Sequence, residues 1–259
     1  MLRLVRAELF KSVAYRTPTL AALGAVALIA LWATQILIRN AAYGEDRFLT
    51  SMLGITGAIL PVMAFLIPML LIEADTRAGD LTPVLVYSHR PRSVLIAKWA
   101  VSVFVGVCAV TLIWGTIVLP LVVFYGQDDA LLSQLPILGR MYVLVVLWVS
   151  FSTACEVLTG YKGPWVVLGL LLWVHLIERL LGSALPGTSG MLAVPFRLAD
   201  LWLRGEWQRI DPWGLSWAGA APLAGYTILI AGAAVVSFIF YSDASGRAWG
   251  RKRVNYDRL

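Results

Sequence analysis

Six stretches of this chain run almost without charge: Thr19 to Ile38, Leu53 to Ile72, Ala100 to Phe124, Met141 to Leu158, Trp165 to Leu181 and Leu223 to Tyr241. About 20 apolar residues in a helix cover the hydrocarbon of a bilayer, whereas a barrel strand needs roughly 10 and alternates in polarity. Backbone polar groups in lipid must be bonded within the segment, so these runs predict six transmembrane helices. Arg39 to Ser51 and Gly126 to Arg140 read as short connectors, and Gly160 to Pro164 as a tight hairpin. Two longer polar pieces remain, Glu73 to Trp99 and Gly182 to Gly219. Ahead of the first run, Leu2, Val5, Leu9 and Val13 recur at three- and four-residue spacing among Arg3, Arg6, Glu8 and Lys11. That pattern predicts an amphipathic helix on the inner leaflet, ended by Thr17-Pro18.

Composition removes the soluble alternatives. Apolar residues make up 59% of the 259 and charged ones 14%, against about 45–50% and 25% in an average soluble domain. Mean hydropathy is +0.79. The net charge of +6 would raise nucleic-acid binding in a soluble protein, but no basic stripe interleaved with aromatics is present. The charge instead sets orientation. Fourteen of the 21 Lys and Arg residues fall in Met1 to Pro18, Glu73 to Trp99, Thr159 to Pro164 and Ser242 to Leu259, which predicts both termini in the cytoplasm. The first apolar run, at 20 residues, exceeds the roughly 7–15 of a signal peptide and reads as an uncleaved span. The chain is thus expected to be one all-α polytopic domain over 1–259: an interface helix over 1–18, six spans over 19–241 and a basic cytoplasmic tail over 242–259. Cys108 and Cys155 lie inside apolar runs, are expected to be buried, and form no disulfide framework.

Candidate chemistry is sparse. Gly187-Thr188-Ser189-Gly190 has the form of a serine nucleophile turn, but no histidine follows it; His89 and His175 are the two in the chain. Neither an H-E-x-x-H pair nor a G-x-x-x-x-G-K-[ST] phosphate loop occurs, so no metal site, no catalytic set and no ATP binding by this chain alone is expected. Glu156, Glu178 and Arg179 sit near span ends, where they can snorkel or pair with each other. Trp202, Trp207, Trp213 and Trp217 crowd the outer polar piece, as expected of a segment lying at the membrane–water boundary. Pro61 and Pro68 in the second span each remove a backbone donor and predict a kink.

The segment from Glu73 to Lys98 is the most distinctive. Charges at the end of the second span give way to Gly79, then the apolar patch of Leu81, Val84, Leu85 and Tyr87, then the basic cluster Ser88 to Arg92 before Ala97-Lys98 opens the third span. An apolar patch on a cytoplasmic face invites a protein partner. It resembles the coupling segment of type-2 ATP-binding-cassette (ABC) exporter permeases, and the amphipathic start with Glu8 and Lys11 is similar to that family's elbow helix. The resemblance implies a transport subunit rather than an enzyme: a plasma-membrane, multi-pass permease that pairs with a second permease, itself or another, and docks an ABC ATPase through a cytoplasmic coupling helix between spans two and three. ATP and Mg would be bound by that ATPase, with no cofactor in this chain. Glu73, Asp75, Arg77, Gly79, Leu81, Leu85, Tyr87, Arg90 and Arg92 would contact it, and Pro61, Phe65, Pro68, Trp173 and His175 on spans two and five would face the pathway. The cargo would be hydrophobic or amphipathic: a lipid, a peptide antibiotic or a drug. A non-transport membrane protein, either an assembly or anchoring subunit or a lipid-modifying enzyme, is the alternative.

Overall fold

A computed structural model describes residues 2–14, 17–39, 45–77, 91–127, 129–159, 163–178, 180–181, 194–204, 224–229 and 231–232. Among these residues the architecture is all-helical, with no strand. The helices are α1 (Leu2–Ala14), α2 (Thr17–Arg39), α3 (Glu45–Arg77), α4 (Pro91–Tyr125), α5 (Ala130–Ser133), α6 (Leu135–Leu158), α7 (Gly163–Leu172), continued by one π-helical turn (Trp173–Ile177), and α8 (Pro195–Arg204). Residues 224–229 and 231–232 are helical as well.

Among the described residues, three stretches are long and apolar enough to cross a membrane: Asp46–Ile72, Ser93–Tyr125 and Ala130–Leu158. Shorter apolar helical stretches cover Ala22–Leu37 and Pro164–Ile177. This is the build of a helical membrane protein. Its outward surface agrees, since Leu20, Leu28, Leu31, Leu119, Phe124 and Trp165 are all exposed, an arrangement that water would penalise and hydrocarbon would not. Most of the span predicted over Leu223 to Tyr241 lies outside the described residues.

Helix ends depart from the hydropathy runs in an instructive way. α3 begins at Glu45 rather than Leu53, and α4 at Pro91 rather than Ala100. At 1.5 Å per residue the two are each about 50 Å long, well beyond a roughly 30 Å hydrocarbon core. Hydropathy marks where the surface is apolar; hydrogen bonding carries the helix on through the polar flanks. Proline is tolerated at the first position of α4 because a first-turn N–H has no intrahelical acceptor. Gly126 ends α4 with φ of 67°, in the left-handed region open to glycine, and the Gln127 N–H donates back to the Leu121 carbonyl at 3.1 Å.

α3 is the most enclosed of the long helices and packs on α2, α4, α6, α7 and α8. Phe48, Met52, Leu60, Met63, Phe65 and Ile67 place it at the centre of the core. Gly106 lets α4 approach α6 closely, because a Cβ there would stand 2.7 Å from Val145 Cγ1. α3 runs through Pro61 and Pro68 as one helix. Three residues before Pro68, the Ser152 hydroxyl donates to the Phe65 carbonyl at 3.3 Å, bonding α6 to α3.

Three sequence expectations are corrected here. Cys108 is exposed and Cys155 half-buried rather than both buried, since an apolar run says nothing about which face of its helix meets lipid. Trp202 is buried on the core-facing side of α8 instead of anchoring a membrane interface, while Trp207, Trp213 and Trp217 lie outside the described residues. Glu156 and Glu178 are both buried, so neither reaches out to water.

Candidate functional site

The site is built around α8, a ten-residue helix with two chemically distinct faces. Phe196, Ala199, Trp202 and Leu203 are buried, while Arg197, Asp200 and Arg204 line the opposite side at i, i+3 and i+7. Phe196 inserts into an aromatic cluster, edge-on to Phe65 (5.8 Å between centroids) and Phe151 (5.4 Å) and stacked on Trp148 (6.3 Å). Arg140 Nη1 donates to the Trp202 carbonyl at 3.2 Å, bonding the last turn of α8 to α6.

The first turn of α8 is bonded by Glu178. Its carboxylate accepts the backbone N–H groups of Phe196 at 3.1 Å and Arg197 at 2.8 Å, together with Trp173 Nε1–H at 3.1 Å. A carboxylate there answers two orphan amides and the positive end of the helix dipole together. The π turn makes this possible. Its i→i+5 repeat stacks Trp173 beside Glu178, five residues on, where an α-helical turn would rotate one away from the other.

Between α3, the π turn and α8 lies a cavity of about 510 Å³, lined by Gly54, Gly57, Ala58 and Pro61, by Val174, His175 and Glu178, and by Phe196, Arg197, Asp200 and Arg204. Small residues on α3 make the room. A methyl group at Gly57 would overlap the Asp200 carboxylate, and one at Gly54 would meet Arg204 Nη1 at 3.8 Å. Asp200 and Arg204 form a fork-to-fork pair, Nη2 to Oδ2 at 2.7 Å and Nε to Oδ1 at 3.2 Å.

Of the residues expected to face a pathway, the structure brings Pro61 and His175 to this cavity. Phe65 lies behind the wall, fully buried against Phe196. Trp173 touches the site through Glu178, and Pro68 is buried two turns further along α3. Of the expected ATPase contacts, Glu73, Asp75 and Arg77 fall on the last turns of α3 and Arg92 on the first turn of α4; Gly79, Leu81, Leu85, Tyr87 and Arg90 lie outside the described residues.

A second polar centre sits where α3 and α4 approach α1. Lys98, 2% exposed, donates from Nζ to Glu8 Oε2 at 2.9 Å and to the Leu71 carbonyl at 3.4 Å. Lys11 adds a longer pair to Glu8 at 3.7 Å. Val5 and Leu9 of α1 pack on the core beside them. One ammonium therefore ties α1 to both helices that flank the 78–90 segment.

No protein-family model matches the chain, and no curated protein matches it in sequence. The functional reading accordingly rests on geometry. Sequence reasoning missed Gly54, Gly57, Arg197, Asp200 and Arg204, and assigned Glu178 no role toward α8. A signal for α8 was present: Pro195 opens it, and charges recur at three- and four-residue spacing through Arg204. Among the described residues, no group of three His, Cys, Asp or Glu gathers where a metal ion could be held.

Proposed function

We propose that this chain is the transmembrane permease subunit of an ATP-driven exporter, moving a hydrophobic or amphipathic molecule across the plasma membrane. In this reading it has six spans and cytoplasmic termini, α1 is the elbow helix, and a coupling helix lies between α3 and α4. A separate ABC ATPase binds ATP and Mg beneath that segment, and a second permease completes the pathway. The observation that carries the reading is the Lys98 joint, where α1, the inner part of α3 and the start of α4 meet at one buried ion pair. A push on the segment between α3 and α4 would reach both helices together, as conversion of ATPase closure into helix motion requires. The cavity between α3, the π turn and α8 supports it further, since in this reading α3 and the π turn belong to spans two and five.

Purification of the tagged chain from native membranes tests this. It is expected to bring down an ATPase carrying a phosphate-loop sequence, to hydrolyse no ATP alone, and to lose that partner when Leu81 to Tyr87 are deleted while still inserting. ATP hydrolysis by the single purified chain, or retention of the ATPase after the deletion, would overturn the proposal.

A further inference from the structure

The geometry points to the cavity between α3, the π turn and α8 as a binding site for an amphiphile with an anionic head, a phosphate or carboxylate held by the arginine face of α8. This deepens the exporter reading by naming the chemical class of the cargo, and rests on it only for the claim that the ligand is transported.

The argument is an accounting of donors and acceptors. Two carboxylates border the cavity, and both are engaged within its wall. Glu178 takes two amides and an indole N–H, and Asp200 takes two N–H groups of Arg204. The donors of the lining are Arg197, Arg204 and His175. Arg197 is exposed at the wall with a guanidinium that carries five N–H groups. Arg204, paired with Asp200 through Nε and Nη2, lies along the Gly54 wall, its Nη1 3.8 Å from where a Cβ would stand. The His175 ring is exposed as well. The N–H groups of Arg197, Arg204 and His175 outnumber the lone pairs that Glu178 and Asp200 leave open, so the lining favours a ligand that accepts; a guanidinium beside apolar surroundings favours one that is charged.

The rest of the lining is apolar. Ala58 and Pro61 on α3, Val174 on the π turn and Phe196 on α8 offer hydrocarbon, and the two glycines leave the α3 wall without side chains. The volume of about 510 Å³ lies within the roughly 300–1,000 Å³ of small-molecule sites. A compact anionic head with the first part of a hydrocarbon tail matches both walls; a bare anion would leave the apolar one empty.

Binding can be read without transport. The full chain in phosphatidylcholine nanodiscs is titrated with a dansyl-labelled 12-carbon lysophosphatidylglycerol, then competed with unlabelled lysophosphatidylglycerol, with lysophosphatidylcholine of the same tail, and with inorganic phosphate. The anionic lysolipid is expected to displace the probe best and phosphate poorly. Arg197→Gln is expected to weaken the anionic lysolipid about tenfold, the factor that 1.4 kcal/mol represents, and Arg197→Lys to restore most of the loss. Ala58→Phe, at an exposed position, is expected to abolish probe binding by filling the space while leaving the thermal transition in place. Equal displacement by the choline and glycerol heads, displacement by phosphate as strong as by the lysolipid, or an affinity unchanged by both Arg197→Gln and Ala58→Phe would overturn the inference. None of these readouts involves an ATPase. Loss of head-group preference would leave the permease reading intact, and absence of an ATPase partner would leave this site intact.

Discussion

Lys98 can sit among apolar neighbours because Glu8 comes with it. Removing one member of a buried pair strands the other charge and costs about 3–5 kcal/mol, whereas replacing both with apolar side chains of similar volume is often close to neutral. Lys98→Met is therefore expected to lower the thermal transition of the purified protein steeply, and Glu8→Leu combined with Lys98→Met to recover most of it. If the double variant is as unstable as the single one, the pair is not what joins α1 to α4. Glu178 obeys the same logic with backbone partners. Glu178→Ala leaves two amides and an indole N–H unanswered, at about 1–3 kcal/mol for a stranded buried donor. Hydrogen exchange should register this as faster exchange of the Phe196 and Arg197 amides, with the core of α3 unchanged. A uniform rise across both helices would contradict a local capping role.

At the scale of elements, α3 and α8 show how far a pattern reaches. The apolar face of α8 is legible in Phe196, Ala199, Trp202 and Leu203, but such a face is satisfied equally by lipid or by protein. The choice was made by Phe65, Trp148 and Phe151, which offered an aromatic socket, and by Glu178, 18 residues away from Phe196. The interior of α3 was legible from its apolar run and its ends were not, since the flank from Glu45 to Met52 is polar enough to read as a loop. Its far end carries a prediction. Glu73 lies near the C-terminal end of α3, where the dipole disfavours a negative charge by about 0.3–1 kcal/mol at an exposed site. If that charge serves to transmit motion, Glu73→Ala will leave the complex with the ATPase assembled while lowering export per ATP hydrolysed in reconstituted vesicles. An unchanged ratio would reduce Glu73 to a marker of the membrane boundary.

For the whole molecule, the distribution of Lys and Arg makes the sharpest claim. With fourteen of the 21 assigned to one side, single cysteines replacing Ser12, Ser88 and Ser245 should be shielded from an impermeant thiol reagent applied to intact cells, and those replacing Gln127 and Ser183 should react. The background must lack Cys108 and Cys155, the former being exposed on its helix. Reaction of Ser88→Cys from outside would reverse the orientation on which the proposed exporter reading depends.

The amino-acid sequence by itself determined the class of solvent, the helical architecture and the interiors of the long helices, because these follow from additive quantities: apolar area along the chain, backbone satisfaction in lipid, and charge counted per connector. Glu8 and Lys98, 90 residues apart, were visible as members of two motifs, yet nothing local required them to meet. That meeting, the seating of Trp202 in the core, the socket of Phe196, and the use of Gly54 and Gly57 to make space for Asp200 and Arg204 were decided by tertiary structure. Each depends on which faces of separate helices confront one another. Periodicity along one helix orients its own face but does not specify the face opposite.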